Sequence, residues 1–576
     1  MPRRRLLHDR ACRFSTALSQ AFSAPNPALV TERGAQRLPR SALLLFCAAY
    51  VLPGLFGRDP WKSADITSFG YMVSIAEGRT PWLAPSVGGL PADAALLPYW
   101  LGAAVIRLLS GWVEPALAAR LPFAALLALT LVLIWYATYH LARTDAAQPL
   151  PFAFGGEASP IEYARAIADG ALLALIASLG LLQLGHETTP ELAQLASVAL
   201  FVYALSASPF RGWKPKLAVL VALPALAASG APSIAVALAA LGTVICRRSS
   251  HDAVRPFALW VAASGVLAAL AASALSAWAW RVTGSFAPAD LAGVVRQLVW
   301  FSWPAWPLAL WTLWRWRRRL SSRHIAIPLG CALVGMAAWL GMGGSDRALM
   351  LALPPLAVLA AFALPTLERS TAAAIDWFSV FFFSACMLVF WVVYVSMHTG
   401  VPAQPARNIA RLAPGYLPTF SVLALVAATA GTLAWLWLVR WRTRRSRHAL
   451  WKSLVLPASG VALCWLLAMT LLLPPLNHAR SYRSLIERVG QQVPRGACVA
   501  APGLPRAAIG ALEYLGRYRV DAVTPAQAST CPYLLVMERT RAGDAGPGPQ
   551  WERIAREPRN TGDDEVTAVY RRRSAP

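Results

Sequence analysis

The sequence predicts an all-α polytopic membrane protein of about 13 transmembrane helices, followed by a small extracytoplasmic α/β domain at the C-terminus. Three observations carry that prediction. Of the 576 residues, 57% are hydrophobic and only 14% are charged, whereas soluble domains carry about 25% charged residues. Apolar runs near the ~20 residues a bilayer requires recur along most of the chain. The net charge of +25, from 53 basic and 28 acidic residues, gathers in short runs between those segments. Charge placed that way records topology and does not read as a nucleic-acid footprint.

Taken in order, residues 1–40 form a polar, arginine-rich tail that is too long for a simple signal peptide. The membrane part, 41–476, has candidate spans at 41–57, 117–139, 165–184, 191–208, 217–230, 232–246, 256–280, 300–314, 326–341, 348–366, 376–398, 418–438 and 451–473. With the N-terminus inside, the clusters Arg211/Lys214/Lys216, Arg247/Arg248/Arg255, Arg315–Arg323 and Arg440–Arg447 all fall on the cytoplasmic side, as the positive-inside rule requires. A crossing at 98–110 would place the later clusters outside, so that stretch is read as an interfacial or dipping helix. The same parity exports 477–576, whose strand-like runs Cys498–Ala501, Pro532–Met537 and Glu565–Tyr570 flank a helix-like stretch near Arg506–Tyr518. Cys498 and Cys531 are its only cysteines, and an oxidising compartment permits them to pair.

Chemistry is concentrated at the outer face. The loop 58–97 holds Arg58, Asp59, Lys62, Asp65 and Asp93. A carboxylate beside an apolar cavity has two roles open to it: capping a helix start, or acting as a base or metal ligand. Asp65, between the WKS turn and an amphipathic stretch, is the strongest candidate for chemistry; Asp59, before Pro60, also suits a turn. His186 and Glu187 lie in a short outer loop, where His186 suits phosphate binding, proton donation or plain surface placement. Glu191 reads as favouring its helix N-terminus. Arg347, after Gly344-Ser345-Asp346, suits pairing with Asp346 or holding a lipid phosphate. A divalent metal is compatible with Asp59, Asp65 and Asp93. No nucleotide-binding loop, Rossmann fingerprint, nucleophile elbow or HExxH pair occurs, so an enzyme at the outer face requires a preactivated donor.

Four stretches resemble GT-C class membrane glycosyltransferases, in particular the polyprenyl-phosphate aminoarabinose (lipid A) transferases and the protein O-mannosyltransferase relatives. They are RDPWKSADITSFG (58–70), PYWLGAAVIRLLSGWVEPALAARLPFA (98–124), WFSWPAWPLALWTLWRWR (300–317) and SDRALMLALPPLAVLA (345–360). The resemblance implies transfer of a sugar from a polyprenyl-phosphate donor to an envelope lipid, glycan or protein, at the outer face of a bacterial inner membrane. It implies Asp65 as base or acceptor-positioning acid, Asp93 as a second positioning acid, and Arg347 near the donor phosphate. Arg58, Asp59, Lys62, His186 and Glu187 complete the expected substrate-binding set. The chain departs from the family at two places. The family's Asp-Glu pair falls on Ala64 and Asp65, and the Lys expected after Asp93 is absent. A flippase for lipid-linked glycans and a non-catalytic glycan-assembly partner are the alternatives; the clustering of acids outside the spans favours an interfacial enzyme over a flippase.

Overall fold

The computed structural model describes residues 28–61, 63–93, 95–152, 156–278, 291–443, 449–539, 547–558 and 565–573. Helices follow the apolar segments closely. In chain order they include α1 (Arg40–Val51), α2 (Ala64–Ala76), α3 (Leu96–Leu108), α4 (Pro115–Ala142), α5 (Pro160–Ala177), α6 (Pro190–Ala207), α7 (Lys214–Ala228), α8 (Pro232–Arg247) and α9 (Phe257–Ala274). After them come α10 (Leu291–Phe301), α11 (Ala305–Arg315), α12 (Arg323–Gly341), α13 (Leu353–Ala361), α14 (Arg369–Thr399), α15 (Ala403–Leu412), α16 (Val422–Thr443) and α17 (Lys452–Leu471). Among the described residues, eight helical segments are long and apolar enough to cross a membrane. α1, α3 and α8 are shorter apolar helices.

Proline starts several of these helices at the first turn, where a missing N–H costs nothing: Pro115, Pro160, Pro190 and Pro232. The Leu-Pro-rich segment Asp346–Thr366 is almost wholly buried and forms the centre of the bundle, whereas α14 and α16 are largely exposed. Phe381, Leu388, Val389, Leu423 and Trp437 are open on those two helices. Side chains of that kind suit lipid rather than water.

The segments expected as single spans at 165–184 and 300–314 are each broken. α5 ends at Ala177, and α10 gives way to α11 across Ser302–Pro304. The two breaks meet. Gly180 donates its N–H to the Phe301 carbonyl at 2.8 Å, and Leu179 donates to Trp303 at 3.2 Å. Helix breaks among apolar helices persist where the freed backbone groups find partners, and here each break partners the other.

The stretch 98–110 is helix α3, packed against α2 and α4. Between α2 and α3 a short hairpin pairs β1 (Ser86–Val87) with β2 (Leu90–Pro91). After α17, α18 (Leu473–Arg480) and α19 (Arg483–Val489) lead to a five-stranded sheet with α20 (Arg506–Tyr514). Its strands are β3 (Cys498–Ala500), β4 (Arg519–Asp521), β5 (Tyr533–Arg539), β6 (Trp551–Pro558) and β7 (Glu565–Arg572), in the order β4-β3-β5-β7-β6. β3 runs parallel to both neighbours; β5, β7 and β6 are antiparallel. Cys498 and Cys531 form a disulfide with Cα atoms 5.0 Å apart.

α20 lies directly on α2. A Cβ on Gly70 would stand 3.2 Å from Gly510 Cα, so the missing side chain of Gly70 is what lets the two backbones approach. The Phe69 and Tyr514 rings meet edge to face at 4.7 Å. Around them, Gly88 N–H donates to Glu513 at 2.8 Å, and ion pairs join Arg79 to Glu513, Arg517 to Glu77 and Arg506 to Asp93. One apolar core runs from the bundle into this C-terminal part.

Candidate functional site

The polar groups of the outer loop converge at the end of the bundle where α4, α6 and α13 begin. Asp65, at the second position of α2, is 1% exposed. One carboxylate oxygen accepts from the Thr188 N–H at 2.7 Å and the Thr188 hydroxyl at 2.6 Å. The other accepts from the Trp61 N–H at 3.1 Å and lies 3.5 Å from Arg58. Burial pushes this carboxyl up, but the Arg58 charge, the Thr188 bonds and the Arg120 charge outweigh burial and hold it below the ordinary value.

Arg58 is buried, donates to the His186 carbonyl and lies over the Trp61 ring at 5.1 Å. Arg120, from inside α4, donates to the carbonyls of Leu55 and Arg58. His186 is enclosed too. Its ring nitrogens face the carbonyls of Leu182 at 2.7 Å and Tyr50 at 2.8 Å. Burial drives its pKa down to about 4, against the two carbonyls that favour the charged ring and with help from Arg58. His186 therefore braces a loop and offers no free nitrogen to a ligand.

Glu187 is buried, accepts from Gln183 at 2.9 Å and pairs with Arg347. Burial pushes its carboxyl up, while Arg347 opposes. Arg347 reaches past Glu187: its other terminal nitrogen lies 3.7 Å from Glu191 and has no hydrogen-bond partner among the described residues, and Glu191 Oε2 is likewise without one. Both side chains line a cavity of about 310 Å³ between α6, α8 and α12, whose walls are mostly apolar. That size and lining are typical of small-ligand sites.

The structure thus brings Arg58, Asp65, His186, Glu187 and Arg347 together. Asp59 and Asp93 go elsewhere. Asp59 makes a two-pronged ion pair with Arg483 at 2.6 and 2.9 Å, and Asp93 pairs with Arg506 at 2.9 Å; both tie the outer loop to the C-terminal part. Lys62 lies outside the described residues. Among the described residues, no three His, Cys, Asp or Glu side chains converge as a metal-binding group.

Sequence reasoning overlooked Arg120 and gave Thr188 and Glu191 only helix-start roles. Arg120 carried a usable signal, being a charged residue inside an apolar helix. Thr188 carried none, because its partner stands 123 residues away in sequence.

No protein-family model and no curated protein sequence matches the chain. Solved structures do match in fold. ArnT from Cupriavidus metallidurans, crystallised with undecaprenyl phosphate, superposes with a TM-score of 0.58 at 14% identity, covering 92% of this chain and 97% of that one. Its apo form gives a TM-score of 0.57 at 14% identity, over 92% and 96%. The chain shares the fold of these ArnT structures.

Proposed function

We propose that this protein transfers a sugar from a polyprenyl-phosphate donor to an envelope lipid or glycan at the outer face of a bacterial inner membrane. The observation that carries the reading is the cavity lined by Arg347, whose Nη1 lies 3.7 Å from Glu191 and makes no hydrogen bond among the described residues. An arginine in a mostly apolar pocket among the membrane helices suits the phosphate of a lipid carrier. The fold adds support, since ArnT was crystallised with undecaprenyl phosphate.

In this mechanism the acceptor hydroxyl oxygen bonds to the anomeric carbon as the carbon–oxygen bond to phosphate breaks. The electron pair leaves on the lipid phosphate, where Arg347 stabilises it. The hydroxyl proton passes to a carboxylate. Glu191 lines the cavity, and its Oε2, 3.7 Å from Arg347, accepts no hydrogen bond among the described residues, so it takes the proton, whereas both oxygens of Asp65 are occupied by Thr188 and Trp61. Asp65 is then a positioning residue that sets the 185–190 loop and, through it, Glu187 and Arg347.

The proposed topology has thirteen crossings, the N-terminus inside and the C-terminal domain outside. Two observations support it. The arginines of α8, α11 and α16 stand at the helix ends opposite Arg347, and the Cys498–Cys531 disulfide, on the Arg347 side, suits an oxidising compartment.

The test is release of polyprenyl phosphate by purified protein given a polyprenyl-phosphate sugar and envelope lipids. Arg347→Gln lowers kcat by roughly 10²–10³-fold and Glu191→Gln by roughly 10²–10⁴-fold. Full activity in Glu191→Gln with loss only in Asp65→Asn returns the base role to Asp65. Absence of turnover in the wild type, with the donor still bound through Arg347, favours the non-catalytic reading, which the occupied oxygens of Asp65 also suit.

A further inference from the structure

A second cavity opens at the other end of the bundle, one helix length from Arg347. It measures about 570 Å³ and lies where α4 ends, α8 ends and α12 begins. Two arginines line it. Arg323 is 8% exposed, and its Nη atoms donate to the Leu205 carbonyl at 2.7 Å, Ser208 at 3.2 Å and Ser249 at 3.4 Å. Its Nε is buried in the cavity wall with no hydrogen-bond partner among the described residues. Arg248 is exposed on the same wall.

The chemistry of the remaining wall agrees with theirs. α12 is a 19-residue helix whose start lines the cavity, and the Ser322 side chain makes no capping hydrogen bond to it, so the partial positive charge of the helix N-terminus is not met by a side-chain cap. Ser249, Ser322 and His251 add hydroxyl and imidazole groups. Asp145 is the one carboxylate in the lining and is exposed. A buried guanidinium with an unsatisfied N–H carries a desolvation cost that an anion would relieve. Exposed Val244 beside the opening gives an acyl chain a path along α8.

We propose that this cavity is a binding site for a phosphate group, borne by a lipid headgroup or free in solution, with Arg323 and Arg248 as its cationic clamp. It is separate from the cavity at Arg347. Two guanidiniums, hydroxyl donors and a helix N-terminus match a tetrahedral oxyanion better than a planar carboxylate.

The test uses full-length protein in maltoside, titrated in separate arms with inorganic phosphate and with short-chain phosphatidylglycerol. Arg248 is the residue to change, because Arg323 also braces the Leu205 carbonyl. Binding in the wild type falls at least about tenfold in Arg248→Gln, the loss expected of one charge-assisted hydrogen bond, and persists in Arg347→Gln. Saturation by inorganic phosphate identifies a soluble ligand; saturation by the lipid alone identifies a headgroup. Absence of binding in both arms, or binding indifferent to Arg248→Gln, overturns the proposal.

Discussion

Asp65 shows how a residue singled out by sequence can be placed correctly while its occupation changes. Its position in a loop of sparse charge made it conspicuous, but Thr188, which bonds one of its oxygens through both backbone and hydroxyl, belongs to a loop that only folding brings near. Breaking a buried ion pair by removing one partner costs about 3–5 kcal/mol, so Asp65→Asn should lower thermal stability markedly, as read by a shifted unfolding midpoint. The pH sign follows from a carboxyl held below its ordinary value. Its stabilisation is complete above the unfolded carboxylate pKa and disappears as pH falls through the folded one; Asp65→Asn removes that acid limb. His186 has the opposite chemistry and the same sign. With a folded pKa near 4, it binds fewer protons than the unfolded ring, so stability drops as pH falls from about 6.5 towards 4. Unfolding midpoints measured across that interval should be flatter in His186→Gln. An unchanged slope would mean that the ring is charged in the folded protein.

At the scale of elements, hydrophobic length located the helices well, because burial in lipid imposes length directly. It did not reveal the paired breaks at 178–180 and 302–304. A broken helix and a continuous one have the same composition when another segment satisfies the freed carbonyls. The α2–α20 contact was equally hidden, since Gly70 meets Gly510 across 440 positions of sequence. Gly70→Val puts branched carbons against the Gly510 backbone, and overpacking of this kind costs about 1–3 kcal/mol. The expected result is reduced sugar transfer together with faster proteolysis of the C-terminal domain. Equal proteolysis in the variant and the wild type would show that the contact does not hold the domain.

For the whole molecule, charge distribution and apolar content made the membrane architecture legible. The cavity at Arg347 was not, because its walls come from α6, α8 and α12, which no local pattern joins. The disulfide spans 33 residues, and removing such a link typically costs about 2–4 kcal/mol. Cys498→Ser with Cys531→Ser should therefore lower the unfolding midpoint of the C-terminal domain, and a reductant should act on the wild type but leave the double variant unmoved. The seating of α20 on α2 also has a consequence in time. Arg517 meets Glu77 across 440 residues of chain, and at about 5–20 residues per second a ribosome needs roughly 20 to 90 s to make that length. In the proposed topology, the loop that carries α2 is exported during that interval, before its supporting helix exists. The nascent protein must shelter the apolar face of α2 by other means, which makes this helix a natural client for chaperones or insertion factors on the far side of the membrane.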